Sequence, residues 1–178
     1  MAAFADLLHA TINAADIACL RIAGRDPERI TIIAKVLAPL AQDQGVAVLL
    51  ETADLAAKLR ADGVHLADTS QYREARRVIG ADGIVGVTCP LERHTAMEVG
   101  EAGADYVEFA VADAIEADAF DLVAWWTEMM TVPCVVTGAL TPEIAAQFIA
   151  AGADFLAPYP DIWLASDPTK AIAALLAR

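Results

Sequence analysis

One local pattern sets the tightest limit on what this chain can fold into: a helical stretch, then Gly-Ala-Asp or Ala-Asp-Gly, then a short β-rich run. It occurs as Ala61-Asp62-Gly63 before Val64-His65-Leu66 and as Ala81-Asp82-Gly83 before Ile84-Val85-Gly86-Val87. It returns as Gly103-Ala104-Asp105 before Tyr106-Val107-Glu108-Phe109, and as Gly152-Ala153-Asp154 before Phe155-Leu156-Ala157. Asp62, Asp82 and Asp105 are 20 and 23 residues apart, and the gap of 49 to Asp154 holds two units. Spacing this short and steady suits repeated βα units. Glycine at or just past a helix end permits a left-handed turn, and the apolar run after it reads as a strand buried on both faces.

Between these runs the apolar residues keep helical spacing, as in Leu55 and Leu59, and in Tyr72, Ala75, Val78 and Ile79. The pattern predicts helices over 4–14, 27–43, 53–60, 69–79, 91–102, 118–130, 141–151 and 167–177. Strands are predicted over 17–22, 46–50, 63–67, 84–89, 106–110, 133–138 and 155–159. Asp26-Pro27, Thr141-Pro142 and Asp167-Pro168 each read as an N-cap followed by proline in the first helical turn. No linker or low-complexity run divides the chain, so a single domain over 1–178 is expected.

Parallel strands alternating with helices leave a closed barrel or an open doubly wound sheet. The sheet form usually carries a glycine-rich phosphate loop after its first strand. Neither G-x-G-x-x-G nor G-x-x-x-x-G-K-[ST] occurs here, which favours an α/β fold of the TIM-type (β/α)8 barrel class. The pattern opens on the helix that should follow a first strand, so that strand is missing from it. Unpaired strand edges invite pairing. The barrel is thus incomplete at its seam, or a partner chain or an upstream segment covers the edges; we expect a homodimer.

Composition narrows the partners. The formal net charge of −13 repels a phosphate backbone at long range, which disfavours nucleic acid. No apolar run approaches the roughly 18 residues of a membrane span, and no basic, then apolar, leader opens the chain. A cytoplasmic protein with a small-molecule ligand is expected. Cys19, Cys89 and Cys134 lie in apolar strand runs without a C-x-x-C pair, and read as reduced core residues.

At Arg60-Ala61-Asp62-Gly63-Val64-His65-Leu66 the chain resembles the thiamine phosphate synthase family, whose stretch reads G-A-D-G-V-H-L-G-Q-E-D. Ile84-Val85-Gly86-Val87-Thr88 is similar to the family's I-I-G-V-S, and Gly103-Ala104-Asp105-Tyr106-Val107 matches as well. The run from Pro133 to Glu143, PCVVTGALTPE, resembles P-V-V-A-I-G-G-I-T-P-E. The resemblance implies a barrel that joins hydroxymethylpyrimidine diphosphate to thiazole phosphate and releases pyrophosphate, with Mg²⁺ shielding the departing charge.

Chemical positions depart from the family more than structural ones do. Its Q-x-R-E-K becomes Cys19-Leu20-Arg21-Ile22-Ala23, which leaves Arg21 as the phosphate-facing cation. Its Asn-Asp pair becomes Leu50-Glu51, and its G-Q-E-D becomes Ala67-Asp68-Thr69-Ser70, so Glu51 and Asp68 are the candidate metal ligands. Thr88 keeps a hydroxyl and Gly138 persists, which makes both candidates for substrate or phosphate binding. The lysine of the family's T-x-T-K loop has no counterpart in the acidic stretch from Ala112 to Asp118, and its serine loop becomes Pro158-Tyr159-Pro160-Asp161. The histidine that a related thiazole tautomerase would carry after Phe109 is absent.

Each candidate has a plainer role beside it. Arg21 also suits a salt bridge, and carboxylates in βα loops often cap helices. His65 reads as a hydrogen-bonded core histidine, and His9 and His94 as solvated. Trp125, Trp126, Met129 and Met130 read as a core or interface stripe. Three functions compete: a degenerate relative that binds a thiazole or pyrimidine, which the residues favour; an active synthase with displaced Mg²⁺ ligands; and another enzyme on the same barrel. Only the second needs a cofactor.

Overall fold

The computed structural model describes residues 1–111 and 117–176. Contacts divide the chain into two compact units, Met1–Val85 and Gly86–Arg178. The strands run in chain order, β1 to β7, and all the pairings within the units are parallel.

The first unit opens on α1 (Ala2–Ala14), then β1 (Cys19–Ile22), α2 (Pro27–Gln42), β2 (Ala47–Leu50), α3 (Ala53–Leu59) and β3 (Gly63–Leu66). A 3₁₀ turn over Thr69–Gln71 leads into α4 (Tyr72–Ile79), and β4 (Ile84–Cys89) crosses into the second unit. That unit continues with α5 (Arg93–Glu101), β5 (Tyr106–Ala110), α6 (Ala117–Met129), β6 (Cys134–Gly138), α7 (Pro142–Ala151) and β7 (Phe155–Pro158). A second 3₁₀ turn, Pro160–Leu164, precedes α8 (Pro168–Leu175). Each predicted helix and strand is present within a few residues of its expected bounds.

The three proline-marked starts have the expected chemistry. Asp26 accepts from the Glu28 and Arg29 amides at 3.0 and 3.3 Å, Thr141 from Ile144 at 3.3 Å, and Asp167 from Lys170 at 3.0 Å. Each satisfies N–H groups that the first helical turn leaves without carbonyl partners. The predicted helix 69–79 instead begins with a 3₁₀ turn, because Asp68 accepts from the Ser70 amide and tightens the chain there.

Of the recurring Asp residues, Asp62 and Asp154 are clasps. The Asp62 amide donates to the Val48 carbonyl at 2.9 Å, while the Asp62 carboxylate accepts from the Val48 amide at 2.7 Å. Asp154 repeats this with Cys134, at 3.2 Å through its amide and 2.8 Å through its carboxylate. In each unit the Asp before one strand thus grips both polar groups of a residue near the start of the neighbouring strand.

The glycines of the repeat divide into two kinds. Gly152 caps α7 at φ 104, as the left-handed expectation requires. After α3 the left-handed residue is Arg60, at φ 56, and Gly63 lies inside β3. There a Cβ would fall on the backbone carbonyl of Ile84, so close strand approach is the reason for glycine.

Burial follows the strands. β3 is buried throughout, His65 included at 3 % exposure, and β2 nearly so. Cys89 and Cys134 are core residues, but Cys19 is exposed, contrary to expectation, because it begins β1 at the end of the strand order. Burial pushes the Cys89 thiol up to about 12 and the Cys134 thiol up to about 11. Both therefore stay protonated and unreactive near pH 8. Native protein should take up one alkyl group per chain from iodoacetamide at pH 8, at Cys19, and three after denaturation; rapid native labelling of Cys89 or Cys134, read by peptide mass, would contradict this packing.

Trp126 is fully buried and Trp125 half-buried beneath the Arg93 guanidinium, 4.6 Å from its ring centre. Met129 is exposed, so the stripe is core on one side only. Among the described residues no helix is long and apolar enough to cross a membrane.

Candidate functional site

Parallel βα proteins place their chemistry at the C-terminal ends of the strands. In the first unit those ends carry Arg21, Glu51 and Asp68. Arg21 is the third residue of β1 and exposed, paired in register with Leu49 of β2. Glu51 follows directly on β2, and its Oε2 accepts from the Gly24 amide at 3.0 Å. That bond ties the loop after β1 to the end of β2. The same loop carries Arg25, an exposed second cation the sequence reading passed over, although Arg21 and Arg25 bracket a short turn-like run.

Asp68 caps the turn after β3. Its Oδ1 accepts from the Ser70 amide at 2.8 Å and from the Ser70 hydroxyl, and its Oδ2 from the Gln71 amide group at 3.5 Å. The Ser70 hydroxyl, then the Ser70 amide, hold this carboxyl below the usual range. The plainer role named for such carboxylates, capping, is the one Asp68 performs.

In the second unit Thr88 is the fifth residue of β4 and half-buried. Its register partner on β5 is Glu108, only 3 % exposed, and the Thr88 hydroxyl donates to Glu108 Oε1 at 3.1 Å. Glu108 is the functional candidate that sequence reasoning missed. Its signal was an acid inside the apolar run Tyr106-Val107-Glu108-Phe109, read there only as a strand marker.

Gly138 ends β6, where a Cβ would sit 2.7 Å from a Val111 methyl and 2.9 Å from the Val111 carbonyl oxygen. Its own carbonyl accepts from the Leu140 and Tyr159 amides, at 3.0 and 3.1 Å. Beside it the buried Thr137 donates to the Ala157 carbonyl at 2.8 Å. Residues 112–116 of the acidic stretch lie outside the described residues; Asp118 stands exposed in the first turn of α6.

Glu51 and Asp68, the candidate Mg²⁺ ligands, both take part in loop hydrogen bonds. Mg²⁺ demands near-octahedral oxygen donors. Both Asp68 oxygens and one Glu51 oxygen already hold loop N–H or O–H groups. Among the described residues no three His, Cys, Asp or Glu side chains gather to hold a cation.

Parallel strands in chain order, alternating with helices and bearing polar groups at their C-terminal ends, define a TIM-type β/α protein. The chain belongs to the thiamine monophosphate synthase family, whose model it matches over residues 2–162. It is 45 % identical over 172 residues to a thiamine-phosphate synthase of Rhodospirillum centenum, covering 90 % of this chain and 83 % of that one. With a thiamine-phosphate synthase of Erythrobacter litoralis it shares 40 % identity over 153 residues, 80 % of this chain and 72 % of the relative. The fold matches that of a thiamine phosphate pyrophosphorylase from Pyrococcus furiosus, with a TM-score of 0.79 at 20 % identity over 97 % of this chain and 87 % of that one. The TIM-type class expected from the sequence therefore holds.

Proposed function

We propose that this chain keeps the ligand-binding strand ends of its family but couples the two substrates weakly or not at all, holding instead a small thiazole- or pyrimidine-class ligand. One observation carries the reading: the carboxylates at the metal positions serve the loops, Asp68 with both oxygens and Glu51 through Gly24. Pyrophosphate departure needs positive charge where negative charge develops. Arg21 and Arg25 supply it after β1, while the sequence from 112 to 118 has no cation at all.

The reading takes 1–178 as a single barrel domain, cytoplasmic and paired as a homodimer, with no nucleic-acid or membrane partner. Arg21, Thr88 and Gly138 are its ligand contacts. A second reading is favoured by the names of the relatives, thiamine-phosphate synthases at up to 45 % identity among those compared. In it the chain is an active synthase, and Glu51 and Asp68 hold Mg²⁺ through the lone pairs their loop bonds leave.

Purified protein given hydroxymethylpyrimidine diphosphate, thiazole phosphate and Mg²⁺ should release pyrophosphate at least roughly 10²-fold more slowly than an active synthase assayed beside it, the loss that follows from removing one charge-stabilising donor. Release at the rate of that control would reject the proposal and establish the second reading.

A further inference from the structure

Two Asp-Gly steps occur in the chain, Asp62-Gly63 and Asp82-Gly83, each where a helix of the first unit gives way to a strand. An aspartate before glycine is open to attack on its own side chain, because no Cβ shields the following amide nitrogen from the carboxyl carbon. The fold treats the two steps oppositely.

At the first step both residues are held. The Asp62 carboxylate accepts from the Val48 amide at 2.7 Å and from the Gln42 side-chain amide at 2.9 Å, and Gly63 is buried in β3 opposite Leu49. At the second step Asp82 is exposed, and among the described residues neither its carboxylate nor the Gly83 amide has a hydrogen-bond partner. The Arg76 guanidinium fixes the ends of this stretch, donating to the Gly80 and Gly83 carbonyls at 3.0 and 2.6 Å, and leaves Asp82 between them unheld. Asp82 also borders an open cavity of about 320 Å³, which gives its side chain room to turn. A Cβ at residue 83 would run into a branch of Ile79, a helical β-branched side chain with little rotamer freedom. Packing itself therefore imposes the vulnerable pair.

We propose that Asp82-Gly83 is a self-modification site at which the folded chain isomerises to isoaspartate. The Gly83 nitrogen bonds to the Asp82 side-chain carboxyl carbon, and the carboxyl hydroxyl leaves as water with the amide proton. Water then opens the cyclic imide. Attack at the side-chain carbonyl restores aspartate, whereas attack at the main-chain carbonyl leaves the backbone running through the side chain. Only water is exchanged, so the mass is unchanged. The backbone gains one carbon just before β4, where the Ile84 amide donates to the Asp62 carbonyl at 2.9 Å, and the isomer should loosen the start of that strand. The site is independent of whether the chain couples its family's substrates.

Ageing the whole chain in mildly acidic buffer at physiological temperature, then digesting it with trypsin and labelling isoaspartyl carboxyls by enzymatic methylation, tests this. The peptide from Val78 to Arg93 holds a single aspartate, Asp82, and the peptide from Ala61 to Arg73 holds Asp62. Fragmentation of each locates the label. Asp82 should accumulate isoaspartate at least roughly tenfold faster than Asp62, which must first give up its hydrogen bonds to Val48 and Gln42. In guanidinium chloride the two should approach one rate, because the restraint on Asp62 is gone. Asp82→Glu, whose longer side chain closes a six-membered imide far more slowly, should melt as wild type does and lose the label. Equal labelling of the two aspartates in folded protein would overturn the inference. So would an unlabelled Asp82 in folded protein when the denatured chain is labelled there.

Discussion

Trp126→Ala should lower the free energy of unfolding by about 3–5 kcal/mol, read as a fall in the urea midpoint with little change in slope. The side chain is fully buried, and its indole N–H donates to the Val132 carbonyl at 2.7 Å. Phe109 of β5 meets it edge-on, at 5.7 Å and 78°. A Cβ on Gly100 of α5 would lie 3.2 Å from its far edge, so the ring also fills the space against that helix. Truncation opens a cavity and strips a part-buried carbonyl of its donor, two costs that add. Trp126→Phe keeps most of the volume and should cost about 1–3 kcal/mol, mainly the orphaned carbonyl. The neighbouring Trp125→Ala should cost less than either, since that ring is half-buried under Arg93. A Trp126→Ala penalty no larger than that of Trp125→Ala would mean that the packing of α6 on β5 is misassigned.

Gly63→Ala is the second large effect, with about 3 kcal/mol expected from overpacking. The added methyl lands on the Ile84 backbone carbonyl, and backbone in a sheet cannot step aside without breaking its pairing. Gly86→Ala provides the contrast. Its methyl meets the Tyr106 ring, a half-buried side chain rather than backbone, so a smaller loss of about 1 kcal/mol is expected. Denaturant melts of the two variants should differ clearly; equal losses would show that the obstacle at residue 63 is no firmer than a side chain.

Much of the fold was readable in the residues because its causes are local. Proline after Asp26, Thr141 and Asp167 announces an N-cap whose partner lies two or three residues on. The apolar runs of β2 and β3 announce strands covered on both faces. What escaped depends on distant neighbours. Gly63 has the sequence appearance of a helix-end glycine, and only the approach of Ile84 shows why no side chain fits. Cys19 sits in as apolar a run as Cys89 does, and only its place at the end of the strand order leaves it exposed.

The candidate site was less legible for the same reason. Asp68 stands where a metal ligand was expected, and its hydrogen bonds to Ser70 were not legible in the sequence. Glu108 was hidden inside a strand signature, since nothing in Tyr106-Val107-Glu108-Phe109 says that Thr88, 20 residues earlier, is its partner.

The two-point grip of Asp62 on Val48 and of Asp154 on Cys134 lies at the entry of each strand pair, away from the C-terminal strand ends. A sheet fastened at one end tolerates rewriting at the other. Residues such as Ala23 or Pro158 can then change without unravelling the architecture, so family membership stays readable in the fastening.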